Sequence, residues 1–166
     1  VAAMFMVAFC LSSCWPTRVG FQDDSMPEEW ADFFITPLEM NVATAPANYN
    51  ATLTESLRTG VQNNTRLEML TDITGADVQI SGVVSSYNTT PQAITEGDNA
   101  QRNRLTVSVN FTIITPTKGM EKMQVTSTRF ADYDASQQLT DVEAELLEQI
   151  NQQIVQDLIN KLRSNW

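Results

Sequence analysis

Asn103-Arg-Leu-Thr-Val-Ser-Val-Asn-Phe-Thr-Ile-Ile114 decides how this chain is read. Every odd position from Leu105 to Ile113 is apolar, and Thr106, Ser108, Asn110 and Thr112 lie between them. Successive side chains on a strand point to opposite faces, so the pattern predicts one long strand with a dry face and a wet face. The dry face needs a cover. Val142, Leu146, Leu147, Ile150, Ile154, Leu158, Ile159 and Leu162 recur at helical spacing near the other end of the chain, and the stripe they form is apolar enough to lie across a sheet.

The segments between complete a pattern around this pair. Trp30 to Ile35, stopped by Pro37, reads as a first strand. Asn50 is placed to cap a helix with Leu53, Leu57 and Val61 on one face. Gly60 weakens that helix, and Asn63-Asn64 end it. Arg66 to Asp72 reads as a second short strand, and Asp77 to Tyr87 as a third, with Val78, Ile80 and Val84 on one side. Thr90-Pro91 to Gln101 reads as a loop. Pro116 and Gly119 turn the central strand back into an antiparallel partner, Met123 to Phe130. Thr140 and Glu143 have the spacing of a capping box for the final helix, which runs to about Arg163. The order strand, helix, four strands, helix predicts a two-layer α/β (α+β) sandwich: a mixed sheet of four to five strands, covered on one face by two helices, with an early crossover and a later meander.

The first residues bear on the compartment. Val1 to Leu11 is apolar and uncharged, too short to span a bilayer core of ~30 Å, and Trp15-Pro16 follow soon after. It reads as the apolar part of a secretory signal whose start, lacking Met and a basic region, is clipped. Leu11-Ser12-Ser13-Cys14 resembles a bacterial lipobox, in which the Cys is acylated; residues 1–13 are then a signal peptide and Cys14 carries the lipid. A buried N-terminal helix with two ordinary cysteines, or a cleaved signal without lipid, are the alternatives. By resemblance to lipoprotein sorting signals, Trp15 rather than Asp after the Cys favours the outer membrane. Residues 14–29, with Pro16, Asp23-Asp24 and Glu28-Glu29, read as a polar tether, and residues 30–166 as a single domain. No Cys follows Cys14, so the fold rests on its core and not on disulfides.

The net charge of −10 argues against a general nucleic-acid surface, which needs clustered Lys and Arg. The chain has no His, the commonest general base and metal ligand. No nucleophile and base stand at motif spacing, and no glycine-rich phosphate loop or Cys cluster occurs; no catalytic residue, no metal and no cofactor beyond the covalent lipid on Cys14 are expected. Asp132, Asp134, Ser136 and Glu143 imitate a calcium loop, but Gln137 stands where the sharp turn needs Gly and a strand precedes it. The simpler reading is a set of acids at a helix N-terminus. Arg102 and Arg104 share the wet parity of the central strand, while Lys118 and Lys122 sit at the turn of its hairpin. They are either solvated edge and turn charges or a local anion site on an acidic body.

Three strings carry a resemblance over most of the chain: Ala100-Gln-Arg-Asn-Arg-Leu-Thr-Val-Ser-Val109, Phe130-Ala-Asp-Tyr-Asp-Ala-Ser-Gln-Gln-Leu139, and Val155-Gln-Asp-Leu-Ile-Asn-Lys-Leu-Arg-Ser-Asn-Trp166. With Leu53-Thr-Glu-Ser-Leu57 and Thr65-Arg-Leu67 they resemble the LptE family of LPS-assembly lipoproteins, from about Trp30 to Trp166. The resemblance implies a non-enzymatic outer-membrane lipoprotein that assembles with and plugs a β-barrel translocon (LptD-like) and binds lipopolysaccharide. Its domain would then lie on the periplasmic side or within the barrel lumen. The longer acidic tether, Pro16 to Glu29, departs from the family's short start. The resemblance places no LPS contact on a numbered residue; Arg102, Arg104, Lys118 and Lys122 are candidates from parity and position alone. The competing expectation is a periplasm-facing lipoprotein adaptor that binds another envelope protein without touching LPS.

Overall fold

The computed structural model describes residues 26–92, 101–116 and 119–164. Cys14, the signal segment and Lys118 lie outside the described residues. The elements in chain order are β1 (Asp32–Ile35), β2 (Glu39–Met40), α1 (Tyr49–Asn64), β3 (Glu68–Met69), β4 (Val78–Gln92), β5 (Arg102–Thr115), β6 (Glu121–Asp134) and α2 (Leu139–Arg163). They form one mixed six-stranded sheet in the order β3-β1-β4-β5-β6, with β2 also against β4. The β1–α1–β3 unit is a parallel crossover, and β4, β5 and β6 form an antiparallel meander.

The central strand is β5, paired with β6 from Arg102 to Thr115 and with β4 from Arg102 to Ile114. Leu105, Val107, Val109, Phe111 and Ile113 are buried, at 0–1% exposure. Against them lie Leu146, Leu147, Ile150, Ile154, Leu158, Ile159 and Leu162 of α2 and Leu53, Leu57 and Val61 of α1, within one continuous core. In β4 a register shift between Val84 and Ser86 inserts one residue. That bulge restores the alternation so that Tyr87, like Val78, Ile80 and Val84, is buried. Gly82 has no side chain because Leu38 and Phe111 occupy the space: a Cβ there would lie 2.6 Å from Leu38 Cδ2 and 2.9 Å from Phe111 Cδ1.

Several local expectations give way to tertiary contacts. β3 is two residues long instead of spanning Arg66 to Asp72, because its neighbour β1 has only four residues to offer. β2, also two residues, gives no periodic signal. β4 continues through Thr90 and Pro91 to Gln92, where the sequence pattern predicts a loop. Pro91 is tolerated there because among the described residues β4 has β5 alone as a neighbour at that level. The folded unit takes in Met26, four residues before the expected boundary at Trp30, because Met26 is buried and Arg66 donates to the carbonyls of Met26 and Pro27.

Neither expected helix cap forms. Helix α1 begins at Tyr49 after Asn48, without a side-chain cap. Asn50 instead donates from Nδ2 to the Leu38 carbonyl at 3.1 Å, and Thr54 Oγ1 accepts from the Leu38 N–H at 3.0 Å, so α1 satisfies both polar groups of one buried peptide position. Arg58 Nη2 adds a bond to the Ile35 carbonyl at 2.9 Å. Helix α2 starts at Leu139 after Gln138, also without a side-chain cap, because the Glu143 carboxylate accepts from the Tyr87 hydroxyl.

Gly60 is where the two helices meet. A Cβ built on it would lie 2.2 Å from Val155 Cγ1 of α2. Its low helix propensity is therefore the cost of close approach between the helices.

Candidate functional site

Two helices cover one face of the sheet, which leaves the even-numbered side of β5 and β6 open. Across the middle of this face the residues are uncharged and hydrogen-bonded in rows. Ser108 and Thr128 hydroxyls are 2.9 Å apart, and Thr126 Oγ1 donates to Asn110 Oδ1 at 2.9 Å. On β4, Asn88 Nδ2 donates to Ser86 Oγ at 2.7 Å. The cross-strand pairs of β5 and β6 stabilise the sheet, and with the bond along β4 they leave a polar, uncharged surface.

Charge collects at the ends of the hairpin. At one end, the register sets Arg102 beside Asp134 and Arg104 beside Asp132. Arg104 grips Asp132 bidentately, Nε to Oδ1 at 2.6 Å and Nη2 to Oδ2 at 2.8 Å, and its Cζ lies 3.6 Å from the centroid of the Phe130 ring. The Arg104 guanidinium holds the Asp132 carboxyl below the usual carboxylate range, and Asp132 in turn raises the Arg104 pKa. The Ser136 hydroxyl and N–H hold Asp134 low in the same way, with Arg102 adding a smaller effect.

At the other end stands exposed Lys122, in register with Ile114. Arg104 and Ile114 are ten positions apart on β5, which is about 33 Å at the rise of a strand. The four basic candidates therefore do not form one cluster. Arg102 and Arg104 share one end, Lys122 lies at the other, and Lys118 is outside the described residues.

The acids that imitate a calcium loop also diverge: Asp132 is taken by Arg104, Asp134 by Ser136, and Glu143 by Tyr87. Among the described residues no group of three or more His, Cys, Asp or Glu is placed to hold a metal ion.

Two further polar constellations lie on the helix side. Ser127 and Arg129 interrupt the dry parity of β6, and both donate to Asp157 of α2, from Ser127 Oγ at 2.5 Å and Arg129 Nε at 2.7 Å. This pins α2 to the edge of the sheet. Arg129 and, to a lesser degree, Ser127 hold Asp157 below its ordinary pKa against the opposing effect of burial.

Nearer the start of α2, the Tyr49 hydroxyl donates to Asn151 Oδ1 at 2.8 Å, and the Tyr49 and Tyr87 rings meet edge to face at 6.2 Å. Burial pushes both phenols far above the ordinary tyrosine range, helped at Tyr87 by the Glu143 carboxylate. They hold their protons at neutral pH and serve as hydrogen-bond donors. Beside them a groove of about 980 Å³ runs between α1 and α2; it is lined by Glu55, Glu143 and Glu148 and by no basic side chain among the described residues. An anionic ligand finds no complementary charge there.

The comparisons with known proteins point the same way as the architecture. A family model described as "LptE: Lipopolysaccharide-assembly" matches residues 39–162. Comparison with curated proteins gives no match. Among solved structures, the chain is similar to an uncharacterized lipoprotein B from Nitrosomonas europaea at 13% identity, covering 90% of this chain and 92% of that one, with a TM-score of 0.57. It is similar to a minor lipoprotein from Acinetobacter baumannii at 16% identity, covering 81% of this chain and 94% of that one, with a TM-score of 0.52. A hypothetical protein from Chlamydia trachomatis, 10% identical, covers 82% of this chain and 99% of its own with a TM-score of 0.57. At such identities these structures establish a shared fold. The family match spans most of the folded unit, from β2 to the last turn of α2, and the chain belongs to the LptE family of lipopolysaccharide-assembly proteins.

Proposed function

We propose that the protein is a non-enzymatic outer-membrane lipoprotein, anchored by lipid on Cys14. It assembles with and plugs a β-barrel translocon and binds lipopolysaccharide on its way to the cell surface. The observation that carries this reading is the family match over residues 39–162. The open face of β4, β5 and β6 supports it physically. A surface of hydroxyls and amides suits the polar, water-lined interior of a barrel better than it suits lipid or a hydrophobic partner.

Within this reading, LPS phosphates are met at the Arg102–Arg104 end, with Lys122 a separate cationic point at the other end of the hairpin. The pull-down that tests the assembly role uses the lipidated chain from detergent-solubilised envelopes; a stable complex with a large β-barrel protein is expected. The paired binding experiment uses purified LPS. Reversing Arg102 and Arg104 to Glu together is expected to weaken binding by roughly tenfold or more, through loss of charge-assisted hydrogen bonds. Binding unchanged by that reversal and by Lys122→Glu would remove LPS contact from this hairpin.

The second reading is an envelope adaptor that does not touch LPS. It is favoured by one observation, that Asp132 already occupies two donors of Arg104. A barrel complex that forms normally while LPS binding is absent would select it.

A further inference from the structure

The sheet has two unequal edges. On one side it ends in β3, two residues long; on the other it ends in β6, fourteen residues long, with β5 as its only neighbour among the described residues. Folded proteins ordinarily blunt an edge of that length with a bulge, a proline or outward charges. In β6 the register with β5 is continuous from Glu121 to Asp134, and the strand contains neither Pro nor Gly. Its exposed positions from Gln124 to Phe130 are uncharged, and the one charge of that stretch, Arg129, is tied to Asp157. A groove of about 570 Å³ runs beside the strand, between Val125 and Thr128 on one side and Asn160 and Lys161 of α2 on the other. The edge and the groove together leave room for another strand with its own cover.

We propose that this edge binds a second copy of the chain, the two β6 strands pairing antiparallel about a two-fold axis at Thr128. The charges of β6 select that occupant. Lys122 stands at one end and Asp132 and Asp134 at the other. Antiparallel pairing about Thr128 sets Lys122 against Asp134 of the second copy, Gln124 against Asp132, Thr126 against Phe130, and Thr128 against itself. Each chain supplies both signs, so one contact is made twice, as a closed two-fold interface requires. The Asp134 carboxylate has Oδ1 engaged by Ser136 and lies in register with Arg102 of its own chain, so the lysine of the second copy adds a further cation to it. Both α2 helices then lie on the same side of a continuous sheet, and the groove beside β6 separates them.

Sedimentation of the full chain in mild detergent, across a wide concentration range, tests this. A reversible dimer is expected. Thr128→Lys, which sets like charges against each other on the axis, is expected to give a monomer of unchanged melting temperature. Lys122→Asp is expected to weaken the dimer by roughly tenfold, because two cross-strand charge pairs become repulsive. Lys122→Asp combined with Asp134→Lys restores complementarity in both copies and is expected to recover the dimer. Hydrogen exchange supplies an independent reading: the amides of β6 gain protection as concentration rises. A monomer at every concentration overturns the proposal. So does a dimer indifferent to Thr128→Lys, or β6 protection that appears only with a different envelope protein bound.

Discussion

Replacing Gly60 by Ala sets two well-characterised effects against each other at one atom. In an exposed helix interior the change stabilises by about 1 kcal/mol, because Ala loses less backbone entropy. Here the added methyl would lie 2.2 Å from Val155 Cγ1, 3.4 Å from its Cβ and 3.5 Å from its Cγ2. The first distance falls short of the ~3.5–4.0 Å optimum for carbon pairs by more than 1 Å. Val155 has little room to yield, since a β-branched side chain in a helix strongly prefers one rotamer. The helices must separate, or α2 must slide over the sheet to which Asp157 pins it. Overpacking of this kind costs about 1–3 kcal/mol, so the expected net effect is destabilisation by up to about 2 kcal/mol. Urea unfolding monitored by circular dichroism reads this directly. The double variant Gly60→Ala/Val155→Ala removes the clash while keeping the propensity gain, so it should be more stable than the sum of the single changes by about 1 kcal/mol or more. A Gly60→Ala protein that is more stable than wild type would refute the close helix contact. So would strict additivity in the double variant.

Truncating Leu146 or Ile150 of α2 to Ala should cost about 2–5 kcal/mol, the range for buried large aliphatics, out of a total stability of ~5–15 kcal/mol; both sit in the core, and a melting temperature unmoved by either would place the helix elsewhere. Asp132, Asp134 and Asp157 all have folded pKa values below their ordinary range, so their contribution is complete above the unfolded Asp value of ~3.9. It is lost as pH falls through the lowered folded values; melting curves between neutral and acid pH should show this, and Asp157→Asn should flatten the acid limb. Asp132→Asn removes an anion beside Arg104 and should tighten LPS binding and steepen its salt dependence; calorimetry that finds neither change would refute Asp132 as the dominant competitor at Arg104. Cys14→Ser should abolish incorporation of labelled palmitate, and equal labelling of the variant would place the lipid elsewhere.

What was legible in the sequence follows from what period and composition encode. The alternation from Leu105 to Ile113 and the stripe from Val142 to Leu162 are each long enough to outweigh local noise, and they position β5 and α2 correctly. Two-residue strands such as β2 and β3 have no period, so only their neighbours define them. Cap residues were misleading for a related reason. Asn50 and Glu143 have the chemistry of caps, but the polar groups of Leu38 and Tyr87, distant in sequence, claim their hydrogen bonds first. Ser127 and Arg129 break the dry parity of β6, and that break is visible in the sequence; its reason, Asp157, lies about thirty residues away on another element. Parity put Arg102 and Arg104 together, and it says nothing about the length of hairpin that separates them from Lys122.

That separation bears on how an acidic protein of net charge −10 would meet the anionic lipid of the proposed function. At the arginine end, Arg102 and Arg104 are opposed by Asp132 and Asp134, so the patch is locally neutral and has little long-range pull on a phosphate. Its capacity is directional. A guanidinium carries five N–H donors, of which the bidentate pair uses two. The stack on Phe130 and the grip of Asp132 hold the plane in one orientation, so less conformational freedom remains to be lost when a phosphate oxygen arrives. Asp132 is in this sense a positioning group as well as a competitor. If LPS phosphates are met at this end as proposed, their recognition would depend on shape and hydrogen bonding and so would be weakly screened by salt. At exposed Lys122 a point charge would act without such a fixed orientation, and its contribution would fade at high ionic strength. An arrangement of that kind would favour release as much as capture, which the proposed handing-on of an anionic lipid requires.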